Sequence, residues 1–220
     1  MEQKIYVSKA LGEFIRNLQK SQTPQQFQKL VTAIQNQLYH VHQSAQKIPV
    51  GKERAKEANK LMQKVINEQA PMFPAYEQIS CKAGCSACCH QQIDITESEA
   101  ILLASLIENG VKIDFKKLEE QAAFNGDEDD WWRLPKEKNA CIFLDENKNC
   151  KVYENRPLAC RKYFVVSPPE VCGQVSMTGR VSVKVFAIPD AEVIYSALGS
   201  TKDLPIPKAL SKKLKDRRKN

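Results

Sequence analysis

The chain has 220 residues, 42% of them hydrophobic and 27% charged, with eight cysteines and a formal net charge of +7. That length suits one domain of ordinary size with room for an appended element, and the composition excludes a disordered or fibrous chain. The longest apolar stretch, Ala100 to Ile107, is far shorter than the roughly 20 residues that a membrane-spanning helix needs. No membrane passage is therefore expected.

The N-terminal segment carries Glu2, Lys4, Lys9, Glu13 and Arg16 and has no apolar signal region, so a secretory route is not expected. The expected location is the cytoplasm, where thiols stay reduced and a cysteine-rich chain is read as metal-binding or catalytic before disulfide-linked.

Residues 1–70 form an N-terminal region read as a helical hairpin. Thr23-Pro24 gives an N-cap with Pro at the first helical position. Phe27, Leu30, Val31, Ile34, Leu38 and Val41 then recur at helical spacing. Pro49 and Gly51 interrupt the run. Ala55, Ala58, Leu61, Met62, Val65 and Ile66 mark a second amphipathic helix that stops before Pro71 and Pro74.

Residues 71–200 form the next unit. It opens with a loop that carries four cysteines. Thr96 with Glu99 is a capping-box signature for a helix through Leu102, Leu103 and Leu106 that ends at Gly110. Asp114 caps a short helix from Phe115 to Phe124, closed by Gly126. Asp127 to Trp132 reads as an acidic loop running into two tryptophans, and Cys141 to Cys150 as a tight hairpin. Val175 to Phe186 has strand composition around Thr178-Gly179. Asp190 is expected to cap a last apolar helix through Val193, Ile194 and Leu198.

Residues 201–220 are a basic C-terminal tail. Lys208, Lys212, Lys213, Lys215, Arg217, Arg218 and Lys219 face a single acid, Asp216, so nearly all of the net charge resides there. A run of this kind can bind a polyanion. No aromatic residue interleaves with it, and a solvated, frayed terminus is the expected state.

The cysteines carry the chemistry. All eight fall between positions 81 and 172, and Cys81, Cys85, Cys88 and Cys89 share the segment CKAGCSACC. Cys141, Cys150, Cys160 and Cys172 follow. Buried free cysteines are common core residues, but a cluster among Lys, Gly and Ser does not look like core packing. Thiolates two or three residues apart reach one metal because a single tight turn separates them, and both zinc and iron–sulfur clusters take four. Cys88 and Cys89 are adjacent, and an extended or turn backbone points neighbours apart. They are expected to serve different metals or different corners of a larger cluster.

These residues resemble the YkgJ-type cysteine-cluster family, a zinc- or iron-chelating CxxCxxCC domain. The resemblance rests on Cys81, Cys85-Ser86-Ala87-Cys88-Cys89, Cys141-Ile142-Phe143-Leu144, Cys150-Lys151-Val152-Tyr153 and Arg156-Pro157-Leu158-Ala159-Cys160-Arg161. It implies metal binding at these seven cysteines; Cys172 lies outside the pattern and joins them as an eighth candidate. The family includes flagellin lysine methylases, much longer chains whose activity the resemblance does not carry over. Cys81, Cys85 and Cys88 also match the spacing that holds a [4Fe-4S] cluster in radical-SAM enzymes. The residues behind them do not alternate strands and helices as that fold requires.

Four thiolates around Zn2+ leave a formal negative charge, and Lys82, His90, Arg156, Arg161 and Lys162 lie beside the motif to screen it. Arg156 and Arg161 are expected to donate to thiolates or to fix the ligand loops. Tyr153 is read as a packed aromatic, His90 as a lesser ligand candidate, and His40 and His42 as solvated. No phosphate-binding loop, dinucleotide fingerprint or serine-nucleophile motif is present.

The expected fold is α+β, mostly helical, with a cysteine-rich core of loops organised by metal and a few short strands. The expected function is coordination of zinc or iron in a structural or metal-handling role, with the metal ion as the expected partner. An iron–sulfur oxidoreductase or protein-modifying enzyme is the alternative. A protein or nucleic-acid adaptor using the basic tail is the second alternative, with nucleic acid the less expected partner.

Overall fold

The computed structural model describes residues 5–82, 84–174 and 183–217, with the side chains of residues 173 and 174 excepted. The described residues are 63% helical, with ten α-helices and a few short strands in two small sheets among them, as the composition and caps predict. No helix among the described residues is long and apolar enough to cross a membrane.

The local signals place the helix starts. Helix α1 (Lys9–Ser21) is capped by the Ser8 side chain, which accepts from the Leu11 N–H. Helix α2 (Pro24–Gln46) begins with the Thr23–Gln26 capping box and Pro at its first turn. Helix α3 (Lys52–Gln69) follows Gly51 without a side-chain cap. Helix α4 (Glu97–Glu108) carries the Thr96–Glu99 capping box, and Asp114 caps α5 (Phe115–Ala122). The acidic segment expected as a loop is instead a short helix, α6 (Glu128–Arg133), because Asp127 and Asp130 form a third capping box. Helix α7 (Lys136–Asn139) immediately precedes Ala140-Cys141, and helix α8 (Pro169–Gln174) carries Cys172.

Helix α9 (Pro189–Leu198) starts at Ile188 with Pro189 in its first turn, so Asp190 lies inside the helix and is not its cap. Proline has already fixed the entry conformation there. Asp190 accepts instead from the Gln69 amide of α3.

The two sheets are minimal. Strand β1 (Asp94–Ile95) pairs antiparallel with β4 (Leu204–Pro205), and β2 (Tyr163–Val165) pairs antiparallel with β3 (Val185–Ala187). Of the segment expected as strand around Thr178-Gly179, residues 175–182 lie outside the described residues, and β3 is the part that pairs. The Cys141–Cys150 hairpin reduces to one bridge, Leu144 with Cys150. Its turn is closed by the Asp145 carboxylate, which accepts from the Asn149 N–H at 2.7 Å, with Lys148 at φ 62°.

Three apolar clusters hold these elements. The first joins Leu103 and Ala104 of α4, Leu118 of α5, Phe143 of the hairpin and Leu210 of α10 (Ile206–Arg217). The second joins Met62 and Ile66 of α3 with Leu158, Phe186 and Ile194. The third joins Leu11, Leu38, Val193 and Ala197. Helix α9 contributes to both the second and third clusters, and α1, α2 and α3 all pack against it.

Helix α10 corrects the expectation of a frayed terminus. It packs along α4 and α5 with Ile206, Ala209 and Leu210 buried. The charges on its other faces concealed an apolar stripe that shows only at helical spacing. Three of its cations pair with acids on the helices below: Lys213 with Glu97, Lys215 with Glu119 at 2.7 Å, and Arg217 with Glu108.

Candidate metal centre

The cysteines arrive from separate segments that the fold draws into one neighbourhood. Ser80 docks the first of them: its N–H donates to Val165 O at 2.8 Å, and its hydroxyl donates to Val165 O and Ser167 O. Cys81 then lies against β2, its sulfur accepting from the Val165 N–H at 3.2 Å. Gly84, at φ 80°, turns the chain in a way that a side chain would resist. Cys88 and Cys89 sit in the 3-10 turn Ala87–His90, which hands its Cys89 carbonyl to the Cys141 N–H at 2.7 Å. That bond ties the first cysteine group to the hairpin carrying Cys141 and Cys150. Cys160 lies in the 3-10 turn Leu158–Cys160, and α8 brings Cys172 against the Ala87–His90 turn.

All eight cysteines are free; Cys81 and Cys88 are exposed and the others partly buried. The expectation that Cys88 and Cys89 point apart does not hold, because their side chains turn toward one another and the two thiols interact directly. This contact pulls Cys88 down to about 7 and drives Cys89 up. Burial pushes Cys141 up to about 11 and raises Cys81, Cys150, Cys160 and Cys172. Cys88 lies within the electrostatic reach of every one of these thiols. Among the described residues, no three of the thiols, imidazoles and carboxylates converge closely enough to hold a metal ion as they stand.

The flanking residues divide their tasks. The Arg156 guanidinium stacks on the Tyr153 ring at 3.8 Å, and its field favours the thiolates of Cys81, Cys88 and Cys150. Its Nε is buried without a partner. Arg161 is 6% exposed and clamps backbone: it donates to Arg156 O at 2.8 Å, to Glu154 O, and to Gln63 Oε1 at 3.1 Å. It thus fixes the loop between Cys150 and Cys160 and ties it to α3. Lys162 does not serve the cluster. Its ammonium turns away into a buried pair with both oxygens of Glu192 at 2.9 Å, between the rings of Tyr163 and Tyr195. Lys117, on α5, supplies a cation near Cys141 instead.

Two residues without a predicted role here hold the scaffold. Glu99 is 4% exposed; one carboxylate oxygen caps α4 at Thr96 and the other accepts from the Leu158 N–H at 2.7 Å. It joins the start of α4 to the turn before Cys160. The capping box revealed half of that role; the Leu158 bond has no sequence signal. Asn139 is buried and donates to Trp131 O and Leu134 O, leaving its Oδ1 to accept from His90 Nδ1 at 2.7 Å. This pattern assigns the proton of a neutral His90 to Nδ1 and leaves Nε2 as the bare nitrogen. Trp131 is buried and donates from Nε1 to His90 O at 2.8 Å. His40 is exposed, whereas His42 is half-buried and bonds Ala197 O through Nδ1 at 2.9 Å.

The donor set fits a thiophilic metal. Uncrosslinked thiols dominate it, an arginine supplies compensating charge, and backbone bonds hold the supporting turns. No curated protein and no solved structure matches the chain. Residues 80–177 match the family model named CxxCxxCC, described as "Putative zinc- or iron-chelating domain". The segment that carries all eight thiols is therefore the part of the chain that is similar to a CxxCxxCC domain.

Proposed function

We propose that the protein binds zinc or iron through the thiolates of Cys81, Cys85, Cys88, Cys89, Cys141, Cys150, Cys160 and Cys172, in a structural or metal-handling role. One observation carries this reading: eight uncrosslinked thiols from separate segments share one neighbourhood beside Arg156. Neutral thiols gain little by converging, whereas thiolates around a divalent cation gain much, so metal binding and closure of the shell are coupled. Arg156 offsets the charge of the thiolates, and Arg161 keeps the turn around Cys160 in place. Bound zinc would supply redox-inert cross-links, and an iron–sulfur cluster would supply electron transfer as well. Eight reduced thiols suit the cytoplasm.

Anaerobic purification with elemental analysis and a visible spectrum tests the proposal. The expected result is zinc or iron retained on the folded protein in stoichiometric amount. Brown protein with acid-labile sulfide selects the iron–sulfur form. Folded protein that retains no metal and takes up neither zinc nor iron overturns the reading.

A further inference from the structure

A cleft of about 380 Å3 lies where α2 and α3 meet α4, α9 and α10, and no cysteine lines it. Val50, Ala55, Ala58, Leu198 and Leu204 give it an apolar wall. Val50 and Leu204 are 51% and 38% exposed, large apolar side chains left uncovered within a concave site. Such a wall favours an apolar guest.

The opposite wall is the first turn of α4. Thr96 accepts from the Glu99 N–H, while the Glu97 and Ser98 N–H groups of the same turn have no partner among the described residues. Ser98 is only 5% exposed; its oxygen accepts from the Gly51 N–H at 3.2 Å, and its hydroxyl hydrogen has no acceptor among the described residues. Three donors thus end on one side of the cleft without an acceptor.

The charges around it are unequally engaged. Its acids are already committed: Glu97 pairs with Lys213, Glu99 accepts from Thr96 and Leu158, and Asp203 accepts from the Ser200 N–H at 2.9 Å. Its remaining cations are not. Arg54 spends Nε on Ile48 O at 2.6 Å and keeps both terminal NH2 groups for another acceptor. Lys202 and Lys212 are exposed and form no ion pair among the described residues.

We infer that the cleft binds a small amphipathic carboxylate, with its head at the first turn of α4 and its hydrocarbon body along Val50, Ala58 and Leu198. A carboxylate accepts from the idle N–H groups and the Ser98 hydroxyl, and it is favoured by the helix N-terminus and the unpaired cations. A neutral apolar guest would cover those donors without satisfying them. A small inorganic anion would leave the apolar wall wet. This site is independent of the thiols and of any metal they hold.

Calorimetric titration of the full-length chain tests the assignment. Decanoate should bind once per chain, whereas acetate, which lacks the tail, and decyltrimethylammonium, which reverses the head, should not bind measurably. Lys202→Glu combined with Lys212→Glu changes only exposed side chains and should weaken decanoate about tenfold. Ser98→Ala should weaken it about fivefold, the loss of one hydrogen bond. Ala58→Phe, which fills the cleft, should abolish binding; the far-UV spectrum shows whether that variant folds, and the lysine pair decides the question if it does not. No decanoate binding, equal binding of acetate or decyltrimethylammonium, or wild-type affinity in the lysine double variant overturns the assignment.

Discussion

Replacing Glu99 by alanine probes the joint between the α-helical scaffold and the cysteine turns. The residue is 4% exposed and satisfies donors on two segments, Thr96 at the start of α4 and Leu158 before Cys160. Loss of the capping contact costs about 1 kcal/mol. Leaving the buried Leu158 N–H unpaired costs a further ~1–3 kcal/mol. Relief of a buried carboxylate offsets part of this, so a net loss of about 2–3 kcal/mol is expected, a large fraction of the ~5–15 kcal/mol that stabilises a typical domain.

The pH dependence gives a second handle on the same residue. Burial raises the Glu99 carboxyl above its ordinary 4.5, against hydrogen bonds from Leu158 and Thr96 that lower it. The folded protein therefore binds this proton more tightly than the unfolded chain. The corresponding stability is fully present below the unfolded value of 4.5 and is lost as pH rises through the folded one. Urea unfolding followed by circular dichroism at a series of pH values above 4.5 should show this slope in the wild type and lose it in both Glu99→Ala and Glu99→Gln. Glu99→Gln keeps an oxygen for Leu158 and should lose less stability than Glu99→Ala. A cost below about 1 kcal/mol for Glu99→Ala, smaller than one unpaired buried donor, or an unchanged pH slope, would refute the reasoning.

Glu192→Gln should cost about 3–5 kcal/mol because it strands the Lys162 ammonium, whose side chain is 5% exposed, whereas Lys162→Met with Glu192→Leu should recover most of that loss. A double-mutant cycle by urea unfolding measures the difference, and a double variant no better than the single one refutes the pairing. Leu210→Ala should destabilise by about 2–5 kcal/mol, as a fully buried leucine between α10, α4 and α5 requires. Thermal melting reads this, and an unchanged midpoint would return the C-terminal segment to a frayed tail.

The sequence by itself determined whatever is settled within a turn or two of chain. Thr23 with Gln26, Thr96 with Glu99, and Asp114 start their helices where the caps indicate, because a cap satisfies backbone donors only three residues away. The grouping of the cysteines and the motif of the CxxCxxCC domain were likewise legible, since ligand spacing is a local property. Only the tertiary structure decided which charges and thiols meet. Lys162 sits beside the motif in sequence yet finds Glu192 across the core, while Cys172, outside the motif, faces Cys85 because α8 packs on the Ala87–His90 turn. The basic run beyond Lys208 looks solvated until α4 and α5 offer its apolar stripe a surface and its cations three glutamates. Burial and long-range pairing arise from how elements pack, and packing depends on surfaces that meet only after the chain has folded back on itself.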